Sequence, residues 1–162
     1  MAIRYPDEEI VQMLRERKRL PDDYRLRMQL KEKRGHKERE LDIAGEEGNE
    51  YRVIFRQSNS NILDFSIILA LEPKESNRRF RLRRYNGKSH EHTNRIEHNT
   101  FYEFHIHTAT ERYQEIGADE DAYAEPTDRY ADFDSAFRCL IRDCGFTLPE
   151  NAQLSLLEGL EP

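Results

Sequence analysis

The sequence predicts an α+β fold: a single antiparallel meander sheet of about six strands, with an N-terminal and a C-terminal helix packed on its apolar face. Three observations carry this prediction. Apolar residues recur at helical spacing near both ends of the chain, they alternate with polar residues at period two between about 24 and 110, and short turns rich in Gly, Asn and Ser separate the alternating runs. A length of 162 residues fits one domain, and 36% hydrophobic against 36% charged residues implies a thin core with one solvated sheet face.

The first helix is expected over 6–19. Pro6 sits near its first position, Asp7, Glu8 and Glu9 meet the positive end of the helix dipole, and Ile10, Met13 and Leu14 follow at helical spacing before Leu20-Pro21-Asp22 stops it. The period then changes to two. Tyr24, Leu26, Met28 and Leu30 alternate with Arg25, Arg27, Gln29 and Lys31, which predicts a strand, and Gly35 centres a turn over 33–37. Leu41 and Ile43 mark a second strand, Tyr51, Val53 and Phe55 a third, and Leu63, Phe65, Ile67, Leu69 and Leu71 a fourth after the turn Ser58-Asn59-Ser60-Asn61. Phe80 and Leu82 face inward on a fifth strand, so Arg79, Arg81 and Arg83 are expected on its other face. Asn86-Gly87 opens a long loop into a sixth strand, 101–110. That strand turns Tyr102, Phe104 and Ile106 to the core and Glu103, His105 and His107 away from it.

An acidic loop over 115–133 is too long for a plain connection and fits a lid. A helix over 134–144 follows, capped by Asp134 or Ser135. Its Phe133, Ala136, Phe137, Leu140, Ile141 and Cys144 form one apolar stripe that ends at Gly145, and a short tail extends beyond Pro149.

Composition excludes several classes. No segment approaches the roughly 20 apolar residues of a membrane span, and the start of the chain lacks the apolar stretch of a secretory signal, so a cytoplasmic protein without membrane contact is expected. Cys139 and Cys144 lie five apart on a helix and point in different directions, which suits reduced core residues rather than a redox pair or zinc knuckle. There is no glycine-rich phosphate loop and no nucleophile elbow, which argues against ATP use and serine hydrolysis. Net charge of -6 conceals an asymmetry: residues 74–95 hold eight Lys/Arg against two acids, whereas 111–162 hold four arginines against thirteen acids.

Five of the six histidines, His90, His92, His98, His105 and His107, fall in one window just after the arginine-rich run 78–84. Imidazole is acid, base and metal ligand near neutrality, so such clustering points to chemistry. In one reading, His90, His92, His105 and His107 act with Tyr85 in metal-independent cleavage of RNA, one ring removing the ribose 2′-hydroxyl proton and another protonating the leaving oxygen. Arg81, Arg83, Arg84 and Lys88 would then bind the phosphates. This reading needs no cofactor. The second reading places a divalent transition metal at His90, His92, His105 and His107, because an HxH pair on a strand presents two nitrogens on one side. His90-x-His92 before Glu97, and His105-x-His107 before Glu111, resemble the first metal motif of cupins, without its glycines and without a second motif.

The run RLRRYNGKSHEHTNRIE, then FYEFHIHT, then ADFDSAFRCLIRDCGF resembles the TumE-like family of small bacterial toxins from toxin–antitoxin modules, over about 78–144. The matching positions are Tyr85, Asn86, His90 and His92 for the first cluster and His105 and His107 for the second. An Asp-Asn turn in that pattern is Tyr85-Asn86-Gly87 here, the second cluster has two histidines rather than three, and the chain is longer at its N-terminus. The resemblance implies a growth-inhibiting toxin with ribonuclease activity on RNA, silenced by a cognate antitoxin that often carries a helix-turn-helix domain. Homodimer formation stays open. The alternative class is a non-catalytic interaction protein, such as a phage or plasmid anti-defence inhibitor, whose acidic C-terminal third contacts a basic partner.

Overall fold

The computed structural model describes residues 4–149. Helix α1 (Asp7–Arg15) leads through β1 (Lys18–Arg19) and the one-turn α2 (Tyr24–Arg27) into β2 (Lys31–Glu32), β3 (His36–Ala44), β4 (Glu50–Ser58), β5 (Phe65–Glu72) and β6 (Phe80–Asn86). A small hairpin follows, β7 (His92–Asn94) and β8 (Asn99–Phe101), before β9 (His105–Thr108), α3 (Glu111–Glu115), β10 (Ala124–Pro126), α4 (Phe133–Asp143) and β11 (Phe146–Thr147). Seven strands form one antiparallel sheet in the order β10-β9-β6-β5-β4-β3-β2. The hairpin β7-β8 is a separate two-stranded sheet, and β1 pairs in parallel with β11. The α+β architecture is therefore as expected, with the meander interrupted between β6 and β9.

Alternation decides which face is buried. Leu41 and Ile43, then Tyr51, Val53 and Phe55, then Phe65, Ile67, Leu69 and Leu71 fall on one face and join Ile10, Leu14, Phe137, Leu140 and Ile141 from α1 and α4 in a continuous core. Each such side chain contributes roughly 1.5–3 kcal/mol by leaving water. The C-terminal helix starts one residue earlier than expected, because Asp132 rather than Asp134 is the cap: it accepts from the Ser135 backbone N–H while the Ser135 hydroxyl reaches back to the Asp132 N–H.

Strand β6 carries the irregularity that matters most. Leu69 pairs with Arg83 and Ala70 with Arg81, so Leu82 is an extra, unpaired residue. Both Leu82 and Arg83 consequently face the helices. The expected common face for Arg79, Arg81 and Arg83 is thereby corrected: Arg81 stays on the side away from the helices, whereas Arg83 lies beside Asp143 of α4. Past the bulge, Tyr85 faces the core opposite Ile67 and Ile106, and Arg84 and Asn86 share the other face with His107 and His105.

Four further expectations are corrected. The first helix, expected over 6–19, ends at Arg15, because Lys18 and Arg19 pair with β11 instead. Residues 24–30 form no strand; α2 occupies 24–27, and Tyr24, Met28 and Leu30 reach the core without strand pairing while Leu26 is exposed. The acidic segment 115–133 is no lid: β10 within it pairs with β9 as the sheet's edge strand. Tyr102 is exposed, since the chain leaves the sheet between β8 and β9. The expected tail beyond Pro149 lies outside the described residues.

One buried ammonium joins the helical layer. Lys18 is fully buried, and its Nζ donates to the carbonyls of Met13 at the end of α1, Glu16, and Cys144 at the end of α4, at 2.7, 2.8 and 2.8 Å. It thereby serves the negative ends of two helices at once, above the Tyr51 ring. Burial pushes its pKa down to about 8. Glycine is required alongside: a Cβ at Gly145, which has φ +73°, would sit 2.5 Å from the Glu16 carbonyl oxygen. Lys18→Met is expected to cost about 2–4 kcal/mol, because three buried carbonyls lose their donor; a urea denaturation midpoint equal to that of wild type would refute this role.

Candidate metal centre

The site is assembled from two layers. His105 and His107 alternate on β9 and point away from the helices; His105 lies opposite Asn86 and His107 opposite Arg84 on β6. Above them the hairpin β7-β8 turns His92, Asn94, Asn99 and Phe101 to its inner side, since His92 pairs with Phe101 and Asn94 with Asn99. The face that sequence periodicity left open to solvent is therefore covered, and His105 and His107 are 0% and 3% exposed.

Three rings converge. One nitrogen from each of His92, His105 and His107 lies within 4.8 Å of the other two, and the ring centroids are 4.8 Å apart for His92–His107, 5.0 Å for His105–His107 and 5.5 Å for His92–His105. Nitrogens around a tetrahedral ion with 2.0–2.1 Å bonds stand roughly 3.3 Å apart, so closure takes ring shifts of about an ångström. Each ring is also held from behind. His105 Nδ1 is 2.9 Å from the carbonyl of Glu103 and His107 Nδ1 is 2.7 Å from that of Asp121. His92 Nε2 is 2.8 Å from Asn94 Oδ1.

Electrostatics keeps the strand rings neutral. Burial pushes the His105 imidazole down to about 4 and His107 down to about 2, and the nearby Arg84 and sibling histidines act in the same direction. Arg84 in turn faces Asp121, whose carboxylate is fully buried 3.4 Å from both Arg81 and Arg84. Burial raises the Asp121 pKa against the pull of the two guanidiniums.

Other predicted site residues are distributed more widely. His90 is exposed beside the cluster, its ring centroid 5.7 Å from His105, and it contacts Ser89 rather than joining the three. Tyr85 is on the opposite face of the sheet, fully buried, and donates to Asp143 at 2.7 Å; burial drives its pKa far up. It cannot act together with the histidines. Arg83 shares that face. Arg81 is engaged by Asp119, Glu120 and Asp121, and Arg84 by Asp121, so the arginines assigned to phosphates already meet carboxylates of the acidic segment. Lys88 is exposed at the start of the loop. Glu97 accepts from Tyr113 and Arg112 instead of completing a cupin-like set, and His98 occupies the hairpin turn with φ 60°.

Periodicity missed Asn94, Asn86 and Asp121 as partners of the rings. The pair Asn94 and Asn99 does carry a signal, since asparagine is depleted in strands and two facing each other across a hairpin need a polar reason. Among the described residues no helix is long and apolar enough to cross a membrane. Comparison with protein-family models, curated proteins and solved structures returns no match.

Two outcomes follow from this arrangement. His105 and His107 have folded pKa values below the unfolded value of about 6.5, so between pH 4 and 6.5 the unfolded chain binds more protons and stability falls as pH falls, by about 1.4 kcal/mol per unit for each ring. Urea denaturation of metal-free protein at pH 7.5 and pH 5 is expected to show this loss, and a His105→Gln/His107→Gln variant to show a smaller one; equal pH slopes would mean that the rings are protonated when folded. Tyr85→Phe is expected to lower stability by about 1 kcal/mol through the lost Asp143 bond while leaving metal affinity unchanged.

Proposed function

We propose that this chain is a divalent-metal-dependent enzyme in which His92, His105 and His107 hold one transition-metal ion and leave a position open for water or substrate. The observation that carries this reading is the convergence of one nitrogen from each of three imidazoles in a covered position, with one nitrogen of every ring held by a carbonyl or amide oxygen. That outer partnership is the one metal-ligating histidines have, because it orients the ring and directs the lone pair inward. Nitrogen donors suit zinc, and also cobalt, nickel or ferrous iron. Three ligands among the described residues, rather than four, favour a catalytic over a purely structural ion, which would supply a Lewis acid and an activated water. A metal-free acid–base pair is less well supported, since Tyr85 is on the wrong face and burial keeps both strand histidines neutral, which leaves neither of them a proton to give as the general acid.

For the cellular role we carry forward an RNA-directed toxin held silent by an antitoxin. Its support is that the metal cluster, Asn86 and the exposed His90 and Lys88 at its rim all fall in the segment resembling TumE-like toxins. The acidic-interaction alternative has less free charge than composition implies, because Asp119, Glu120, Asp121 and Asp143 are engaged by arginines of the same chain.

Calorimetric titration of the full chain with zinc at pH 7.5 is expected to give one ion per chain, at least about 100-fold weaker in His105→Ala/His107→Ala and within a few-fold of wild type in His90→Ala. A folded wild type that takes up no zinc, cobalt or nickel would overturn the metal reading. Induced expression in bacteria is expected to arrest growth, with the double variant, folded by circular dichroism, restoring it. Normal growth with the wild type would remove the toxin role in that host and leave the metal reading standing.

A further inference from the structure

Resting on the metal reading, we propose that the ion is bound through mixed ring nitrogens, Nδ1 of His92 with Nε2 of His105 and of His107, and that Asn94 is the positioning residue that imposes this choice on His92. Backbone groups have no freedom of role. A backbone N–H can only donate and a backbone carbonyl can only accept. The Ala124 N–H meets Asn94 Oδ1 at 3.0 Å, and the Ala124 carbonyl meets Asn94 Nδ2 at 2.8 Å, so the Asn94 amide is not free to flip. Its second Nδ2 hydrogen goes to Asn99 Oδ1 at 3.0 Å, and Asn94 is almost fully buried. Oδ1 therefore faces His92 Nε2 at 2.8 Å, and an acceptor at that distance requires Nε2 to carry the proton. The lone pair of the neutral ring is left on Nδ1.

The tautomer is the opposite on β9. The Glu103 and Asp121 carbonyls require the proton on Nδ1 of His105 and His107, which leaves the lone pairs on Nε2. Asn86 is compatible with this: its Oδ1 lies 2.8 Å from the Ser66 hydroxyl and its amino group 3.4 Å from His105 Nε2, a long contact that a metal would replace. The two tautomers correspond to the two layers. On this assignment the rings rising from the sheet bind through Nε2 and the ring descending from the hairpin through Nδ1. Asn94 thus does two things, clasping the hairpin to β10 through Ala124 and orienting a ligand of the ion.

Long-range proton–nitrogen NMR of the full chain labelled with ¹⁵N-histidine tests this with and without one equivalent of zinc. Without metal, His92 is expected as the Nε2–H tautomer and His105 and His107 as Nδ1–H; a His92 ring protonated on Nδ1 overturns the assignment whether or not zinc binds. With zinc, the metal-type nitrogen shift is expected on Nδ1 of His92 and on Nε2 of the other two, and metal on Nε2 of all three rings overturns the coordination while leaving the metal reading intact. Metal-free tautomers as stated with no zinc uptake would leave the Asn94 lock standing and defeat the metal reading and the coordination together. Asn94→Ala is expected to lose the His92 Nε2–H pattern and weaken zinc 10–100-fold. A folded Asn94→Ala protein with unchanged His92 shifts and affinity would refute the positioning role.

Discussion

The extra residue in β6 is the constraint on which the candidate site depends. With Leu82 unpaired, the strand changes face once, so Phe80, Leu82, Arg83 and Tyr85 serve the helical side while Arg81, Arg84 and Asn86 serve the other. Pairing of β6 with β9 then sets Asn86 against His105 and Arg84 against His107. Without that extra position, strict alternation from Phe80 would bring Arg83 and Tyr85 to the histidine side and turn Arg84 and Asn86 into the core. A single backbone irregularity thereby chooses between Asn86 and Tyr85 as neighbour of the imidazoles.

Around this strand the fold solves two burial problems by similar means. On the helical side Lys18 is inside the protein and is stabilised by carbonyls at the ends of α1 and α4. On the other side two histidines are inside and are kept neutral, each with its outer nitrogen on a backbone carbonyl. A buried cation needs several oxygen acceptors, whereas a buried imidazole needs only one and retains a lone pair for a ligand. The first arrangement is complete in itself. The second leaves three nitrogens facing one another with nothing in the chain that requires it.

The arginine-rich run illustrates how charge in a sequence differs from charge on a surface. Residues 78–84 read as a phosphate-binding strip, yet Arg79 meets Glu40 and Glu72, Arg81 meets Asp119, Glu120 and Asp121, and Arg84 meets Asp121. The basic middle and part of the acidic C-terminal third answer one another, since β10 brings the segment before it against β6 and β9. Ion pairs of this kind, partly withdrawn from water, restrict where an external anion could bind. The exposed rim near His90 and Lys88 is less encumbered.

By itself the sequence determined the class of fold, both terminal helices, the strands β3 to β6, the turn at Gly35, and the placement of His105 and His107 on the side of their strand away from the core. Those features follow from local periodicity and turn chemistry, which every residue carries with it. Tertiary structure alone decided that the histidine face is covered, that His92 joins it while His90 does not, that Tyr85 and Arg83 lie on the far side, and that 24–27 is helical. Covering depends on a hairpin folding back over the sheet, the sides of β6 depend on one unpaired residue, and a strand at 24–30 would have needed a partner that buries its apolar face. Non-local pairing and a bulge leave no period in the sequence, so the contacts that make this a candidate metal centre become visible only when distant segments are brought together.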